Sequence, residues 1–179
     1  RTTAAPPRRR QNRQGARNRA AEYTGWIEKP EDFDFFTPAD SIVAIPKRMA
    51  AHYETAARTL RIVHAGVTIG TIKGRDIIPA QSLALSAALR PGAFTRAELP
   101  YSQAIAYLRK EQLQLPEGTP RGFTLITYGG APLGFAKNIG PRANNLYPQE
   151  WRIKSSHAPG DDSRPAVICT DMMNDGRRQ

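Results

Sequence analysis

Cysteine occurs once in these 179 residues, at Cys169, and histidine three times, at His52, His64 and His157. A single thiol excludes an internal disulfide and any cysteine-based zinc cluster, and the three histidines have none of the spacings that gather on one metal ion. Long apolar runs are also missing. None approaches the ~18 residues a membrane helix needs, and the basic start is not followed by the apolar core of a secretory signal. These absences point to a soluble, cytoplasmic protein that needs neither metal nor membrane. Acidic residues are the scarcer charge, 16 against 26 Lys and Arg, which leaves a formal net charge of +10. A field of that sign raises the local concentration of polyanions, nucleic acid first and acidic lipid second.

The charge is uneven. Residues 1–25 hold seven arginines against the single Glu22, so this leader carries +6 of the +10. It is rich in Arg, Gln, Ala and Pro and lacks apolar periodicity, so it cannot bury enough surface to offset the entropy of ordering and reads as a flexible basic linker. The remainder, in a chain that is 40% hydrophobic, is enough for one domain or for two small ones with a shared core.

Past Trp26, PEDFDFFTPAD reads as an extended lead-in and SIVAIP as a strand. Met49, Tyr53, Ala57 and Leu60 share one helical face, which predicts an amphipathic helix over 48–59. The run LRIVHAGVTIGTIKG predicts two short strands around Ala65-Gly66. A second helix is expected over 81–89, stopped by Pro91 and Gly92, and a third over 101–110 with Ile105 and Leu108 facing inward. Strands over 122–128 and 131–137 flank Gly129-Gly130, the clearest hairpin signal in the chain. Set side by side, IVHAGVTIGTIKG and ITYGGAPLGFAKN share residues at equal offsets: Ile62 with Ile126, Gly66 with Gly130, Gly70 with Gly134 and Lys73 with Lys137, while Ile69 corresponds to Leu133. These matches suggest a degenerate internal repeat with a lysine where each hairpin ends, although any turn-glycine hairpin ending in a charge gives a similar pattern.

The run APLGFAKNIGPRANNLYPQEWRIK, residues 131–154, carries the chemistry. Read as a closing strand, its end points Trp151 and Ile153 into a core and Arg152 and Lys154 outward. Gly140-Pro141 forces a bend, and Arg142 offers a planar five-donor fork suited to phosphate. Asn144 and Asn145 can cap a turn or read base edges, and Tyr147, held extended by Pro148, can stack on a base or plug a barrel. Together with Lys73, the candidate RNA contacts are Lys137, Arg142, Asn144, Asn145, Tyr147, Arg152 and Lys154.

With Gly134, Lys137, Arg142, Asn144-Asn145, Tyr147-Pro148 and Trp151-Arg152-Ile153 in order, the chain resembles the C-terminal PUA-like domain of RsmF-type RNA cytosine-5 methyltransferases. KGRDIIPAQSLALS, starting at Lys73, is similar to the preceding C-terminal domain of that group, and AIAYLRKEQL to its connecting helix, so the resemblance covers roughly residues 26–154. It implies an α+β protein of two small mixed α/β subdomains, 26–95 and 96–157, the second a PUA-like, partly closed β-barrel, followed by a tail over 158–179. In that family these domains follow a Rossmann-like catalytic domain that binds S-adenosylmethionine, and they help to hold the substrate, usually small-subunit ribosomal RNA.

The departures bear on catalysis. The family's nucleophile is a cysteine in a Pro-Cys motif with a second cysteine nearby, whereas Cys169 follows Ile168 and has no partner cysteine. No glycine-rich cofactor loop lies between a strand and a helix. The chain is therefore expected to lack a catalytic residue and a cofactor of its own, with S-adenosylmethionine bound by a catalytic domain elsewhere. A free-standing RNA-binding factor and a protein-docking module that makes no direct RNA contact are the alternatives.

Overall fold

In the computed structural model, which describes residues 22–155, two antiparallel-rich sheets of four strands each pack across a common apolar layer. Most of the 1–25 leader and all of the 158–179 tail, with Cys169, lie outside the described residues. The first sheet holds β1 (Phe33–Phe36), β2 (Ser41–Pro46), β3 (Val67–Lys73) and β4 (Asp76–Pro79) in chain order. The second holds β5 (Thr95–Glu98), β6 (Gly122–Tyr128), β7 (Ala131–Asn138) and β8 (Ala143–Asn145), with β5 parallel to β6 and the other pairs antiparallel. Helices α1 (Lys47–Thr59), α2 (Gln81–Ala84) and α3 (Tyr101–Leu108) complete an α+β fold in which neither sheet closes on itself, consistent with a partly closed barrel.

Strand composition follows burial. Ile42, Val43, Ala44 and Ile45 are buried in succession, because the centre of β2 is covered on both faces. In the second sheet, alternation sends Leu125 and Phe135 into the layer shared with Ile42, Ile69 and Ile77, and sends Ile126 and Ala136 to the opposite face under Tyr107 and Ala104 of α3. At ~1.5–3 kcal/mol for each large apolar side chain removed from water, these two layers supply the main stabilising term. The Gly129-Gly130 turn, with φ of 56° and 78°, joins β6 to β7 as a two-residue hairpin.

Short α2 sits between the sheets. Backbone Ala80 N donates to Ile69 O at 3.0 Å and Ser82 Oγ to Thr68 O at 2.6 Å on β3, while Gln81 Nε2 donates to Leu133 O at 2.6 Å on β7.

Several sequence expectations change. Residues 60–66 form no strand, and Leu60 and Val63 are 66% and 92% exposed; β3 pairs instead with β2, on the far side of α1, and with β4. The α1 stripe is only partly covered. Ala50 is buried and Tyr53 packs on Phe36 at 4.6 Å, but Met49 stays 47% exposed. Helix α2 ends after Ala84 rather than at residue 89, where the Ser86 hydroxyl accepts from Ala88 N and holds a turn in place of another helical bond. In α3 the inward residues are Ala104 and Tyr107, with Leu108 half-buried beside them, and Ile105 is not part of that cluster. The expected closing strand over 151–154 is a single 3-10 turn, Gln149–Trp151, followed by irregular chain in which Ile153 N donates to Leu108 O at 3.0 Å. Trp151 is 53% exposed rather than buried.

Candidate nucleic-acid interface

The expected site residues fall into three places. Across the β3–β4 turn, Lys73 is the Cα partner of Asp76, and across β7–β8, Lys137 is the partner of Asn144. The two pairs meet where Lys137 Nζ approaches the Asp76 carboxylate at 3.7 Å and lies 5.2 Å from the centre of the Phe123 ring. Lys73, Lys137 and Asn144 therefore share one edge between the sheets. Both members of the ion pair are well exposed, so the bridge orients Lys137 more than it stabilises the fold. It leaves that ammonium donors to spare for an incoming phosphate oxygen.

The second place is the end of α3. Asn145 Nδ2 donates to Tyr107 O at 2.8 Å and to Glu111 O at 3.4 Å, and its Oδ1 accepts from Tyr147 N at 2.9 Å. The amide is thus spent on fastening β8 to the helix, and the turn-capping role applies to Asn145 while Asn144 keeps its side chain exposed. Tyr147 is half-buried, with ring centroids 5.5 Å from Tyr107 and 6.4 Å from Trp151, and Lys110 Nζ donates to its carbonyl at 2.6 Å. Tyr147 therefore plugs this end of the second layer. Burial, with Tyr147 beside it, pushes the Tyr107 phenol well above its ordinary value, so Tyr107 acts here only as a neutral donor to Phe135 O at 3.0 Å. Arg152 and Lys154 are exposed beside Trp151.

The third place is a cleft of about 400 Å³ between loops 114–121 and 138–143, lined by Arg142 together with Arg121, Gln114, Glu117, Thr119 and Asn138. Arg121 was not singled out in the sequence. It stands immediately before β6, 21 positions from Arg142, and only the Pro120-Arg121-Gly122 context hinted at a loop. The three places do not form a single pocket, so the expected contacts are spread over the surface. Among the described residues, no group of three or more His, Cys, Asp and Glu is placed to hold a metal ion, and no helix is long and apolar enough to cross a membrane.

Comparison with known proteins gives this surface a context. Residues 94–153, from β5 through the Gln149–Trp151 turn, match the family model of the methyltransferase RsmF PUA domain. Over 70 residues, 38% of the chain, the sequence is 37% identical to the ribosomal RNA small subunit methyltransferase F of Shewanella sediminis (strain HAW-EB3). That stretch amounts to 14% of the relative's length. The resemblance to the C-terminal region of RsmF-type methyltransferases thus rests on a domain match and a named relative as well as on the signature between Gly134 and Ile153.

Proposed function

We propose that this chain is the RNA-binding C-terminal module of a ribosomal RNA (cytosine-5) methyltransferase acting in the cytoplasm, where it positions small-subunit ribosomal RNA for a catalytic domain absent from these residues. S-adenosylmethionine belongs to that catalytic domain, and these residues supply none of the transfer chemistry. The observation that carries the reading is the match of residues 94–153 to the PUA domain of methyltransferase RsmF. The edge bearing Lys73, Lys137 and Asn144, and the exposed Arg152 and Lys154, add cations spaced along a surface, which suits a phosphate backbone better than a small ligand.

A second reading, a docking module for a catalytic partner, draws on the exposed Met49, Leu60 and Val63 at α1 and the loop after it. Truncation separates the two. Removing residues 1–21 spares Tyr23, whose ring packs on Phe35 at 5.2 Å. Retained, salt-sensitive RNA affinity in the truncated chain supports contact through the folded surface. Complete loss of affinity assigns RNA contact to the arginine-rich leader and favours docking. Tight binding of S-adenosylmethionine to the chain, measured by calorimetry, would overturn the modular reading altogether.

A further inference from the structure

The cleft between loops 114–121 and 138–143 is built rather than incidental. Asn138 is buried, its Nδ2 donates to Thr119 O at 2.8 Å and Pro120 O at 3.1 Å, and its Oδ1 accepts from Gly140 N at 2.9 Å, so one amide ties both loops together. Gly140 has φ of 103°, and a Cβ there would lie 3.0 Å from Nη2 and 3.1 Å from Nε of Arg121. The absent side chain leaves room for the Arg121 guanidinium to pack close against Gly140. Arg142 lines the same cavity two residues later, and Ile139 N donates to Arg142 O at 3.1 Å to close the loop. Among the described residues neither guanidinium has an acidic partner within ion-pair distance or a hydrogen-bond acceptor, although Glu117 borders the cavity. Two unspent planar forks at one cavity of about 400 Å³ fit a tetrahedral oxyanion with an attached sugar, and they exceed what a solvated loop needs.

We propose that this cleft holds a single phosphodiester of the bound RNA, gripped by Arg121 and Arg142, with Gly140 positioning Arg121. The inference rests on the RNA-binding reading above and adds a specific site, with Arg121 as a residue outside the signature between Gly134 and Ile153. Because both guanidinium groups serve one phosphate, the loss of either removes most of the contact.

The test is fluorescence anisotropy of the full chain with an unstructured single-stranded RNA over a series of KCl concentrations. R121A and R142A are each expected to weaken binding about 5- to 20-fold and to flatten the plot of log affinity against log salt by about 0.7, the value for one phosphate on a single strand. The double variant should flatten it no further. R121K, which keeps the charge and loses the fork, should recover the slope but only part of the affinity, and E117Q should bind about twofold tighter. R61A, on the exposed loop after α1, serves as the control and should leave the slope unchanged. Inorganic phosphate competing at millimolar concentration equally well against parent and R121A would place the anion elsewhere. A chain that binds RNA with unaltered slope in both R121A and R142A overturns the cleft and leaves the RNA-binding reading standing, whereas a parent chain without RNA affinity removes both.

Discussion

The β2–β3 pair of the first sheet and the β6–β7 pair of the second share one construction and differ in how it is completed. Ile42 pairs with Gly70 and Ile126 with Gly134, and in both the register then skips one residue, leaving Ile69 and Leu133 as the extra residue of a bulge. The bulged carbonyls are satisfied from the same short segment, Ile69 O by the backbone of Ala80 and Leu133 O by the side chain of Gln81. For the bulged carbonyl itself, main chain suffices in the first sheet, with Ser82 Oγ donating to the neighbouring Thr68 O. The second has an added side-chain plug, in which Gln81 from α2 and Tyr107 from α3 converge on the backbone around Gly134. Of the offsets matched in the sequence, Gly70 with Gly134 and Ile69 with Leu133 fall on this bulge, whereas Ile62 lies in the loop after α1 and the partner of Gly70 is Ile42 of β2, with all of α1 standing where the second sheet has only Gly129-Gly130. The sheet that carries the family match completes the bulge with a polar plug.

The two glycines offer the sharpest way to break this comparison. At Gly134, φ is 151°, and a Cβ would run into Gln81 Oε1 and the Tyr107 hydroxyl. Gly134→Ala adds backbone strain to displacement of two side chains that each hydrogen-bond a β7 carbonyl, and should cost about 3–4 kcal/mol, a large part of a small domain's stability. Gly70 lies outside the left-handed region, and its Cβ would meet Ile78 O at 2.7 Å and Ile77 Cγ2 at 2.8 Å. Gly70→Ala is overpacking alone and should cost about 2 kcal/mol. Urea unfolding of both variants decides the matter: equal losses, or a larger loss at Gly70, would mean that the plug adds no constraint of its own.

Most of this was legible where a local signal and the tertiary demand agree. The Gly129-Gly130 hairpin, β2 and α1 each carry their own turn, alternation or periodicity, and the offset of Lys73 with Lys137 already placed two cations at equivalent strand ends. Strand β5 was not legible, because TRAE buries only Ala97 and owes its existence to parallel pairing with β6 across the α3 crossover. Trp151-Arg152-Ile153-Lys154 has the alternation of a strand but no neighbouring strand to pair with among the described residues, so alternation without a ladder misled. Arg121 and Arg142 border one cleft because Asn138 ties two loops together, a long-range contact that no window of sequence contains.

The plug can also be weakened without steric change. Tyr107 is fully buried, and its hydroxyl donates to Phe135 O at 3.0 Å. Tyr107→Phe keeps the ring against Tyr147 and removes one of two donors to Phe135 O, which also accepts from Leu146 N at 3.1 Å, so it should cost about 0.5–1.5 kcal/mol, the net worth of a single hydrogen bond. At the first bulge the hydroxyl comes instead from Ser82, whose Oγ donates to Thr68 O at 2.6 Å beside the Ile69 carbonyl that Ala80 N satisfies. If Tyr107→Phe unfolds at the parent's urea midpoint, the bond from Leu146 N is enough for Phe135 O and the phenol adds nothing to the plug.

The smallest effect tests the turn that replaces α1 in the second sheet. Glu98 at the end of β5 accepts from the Thr127 hydroxyl at 2.6 Å and from Gly130 N at 3.3 Å, so its carboxylate braces the Gly129-Gly130 hairpin. The Thr127 hydroxyl, above all, holds its pKa below the ordinary carboxylate value of 4.5; desolvation opposes it, and the Gly130 and Gly129 N–H groups add weaker lowering contributions. A depressed folded-state pKa means that the unfolded chain takes up the proton first. The brace is therefore fully present above the unfolded-chain value and fades as pH falls from there through the lower folded value. Because Glu98 lies at the surface, the gain is small and screened by salt. Thermal midpoints of parent and Glu98→Gln should differ slightly at pH 7 and converge near pH 3 as the parent loses its brace. A difference that persists unchanged at pH 3 would show that the amide alters the turn by its shape rather than by its charge, and the short hairpin would then need no electrostatic support.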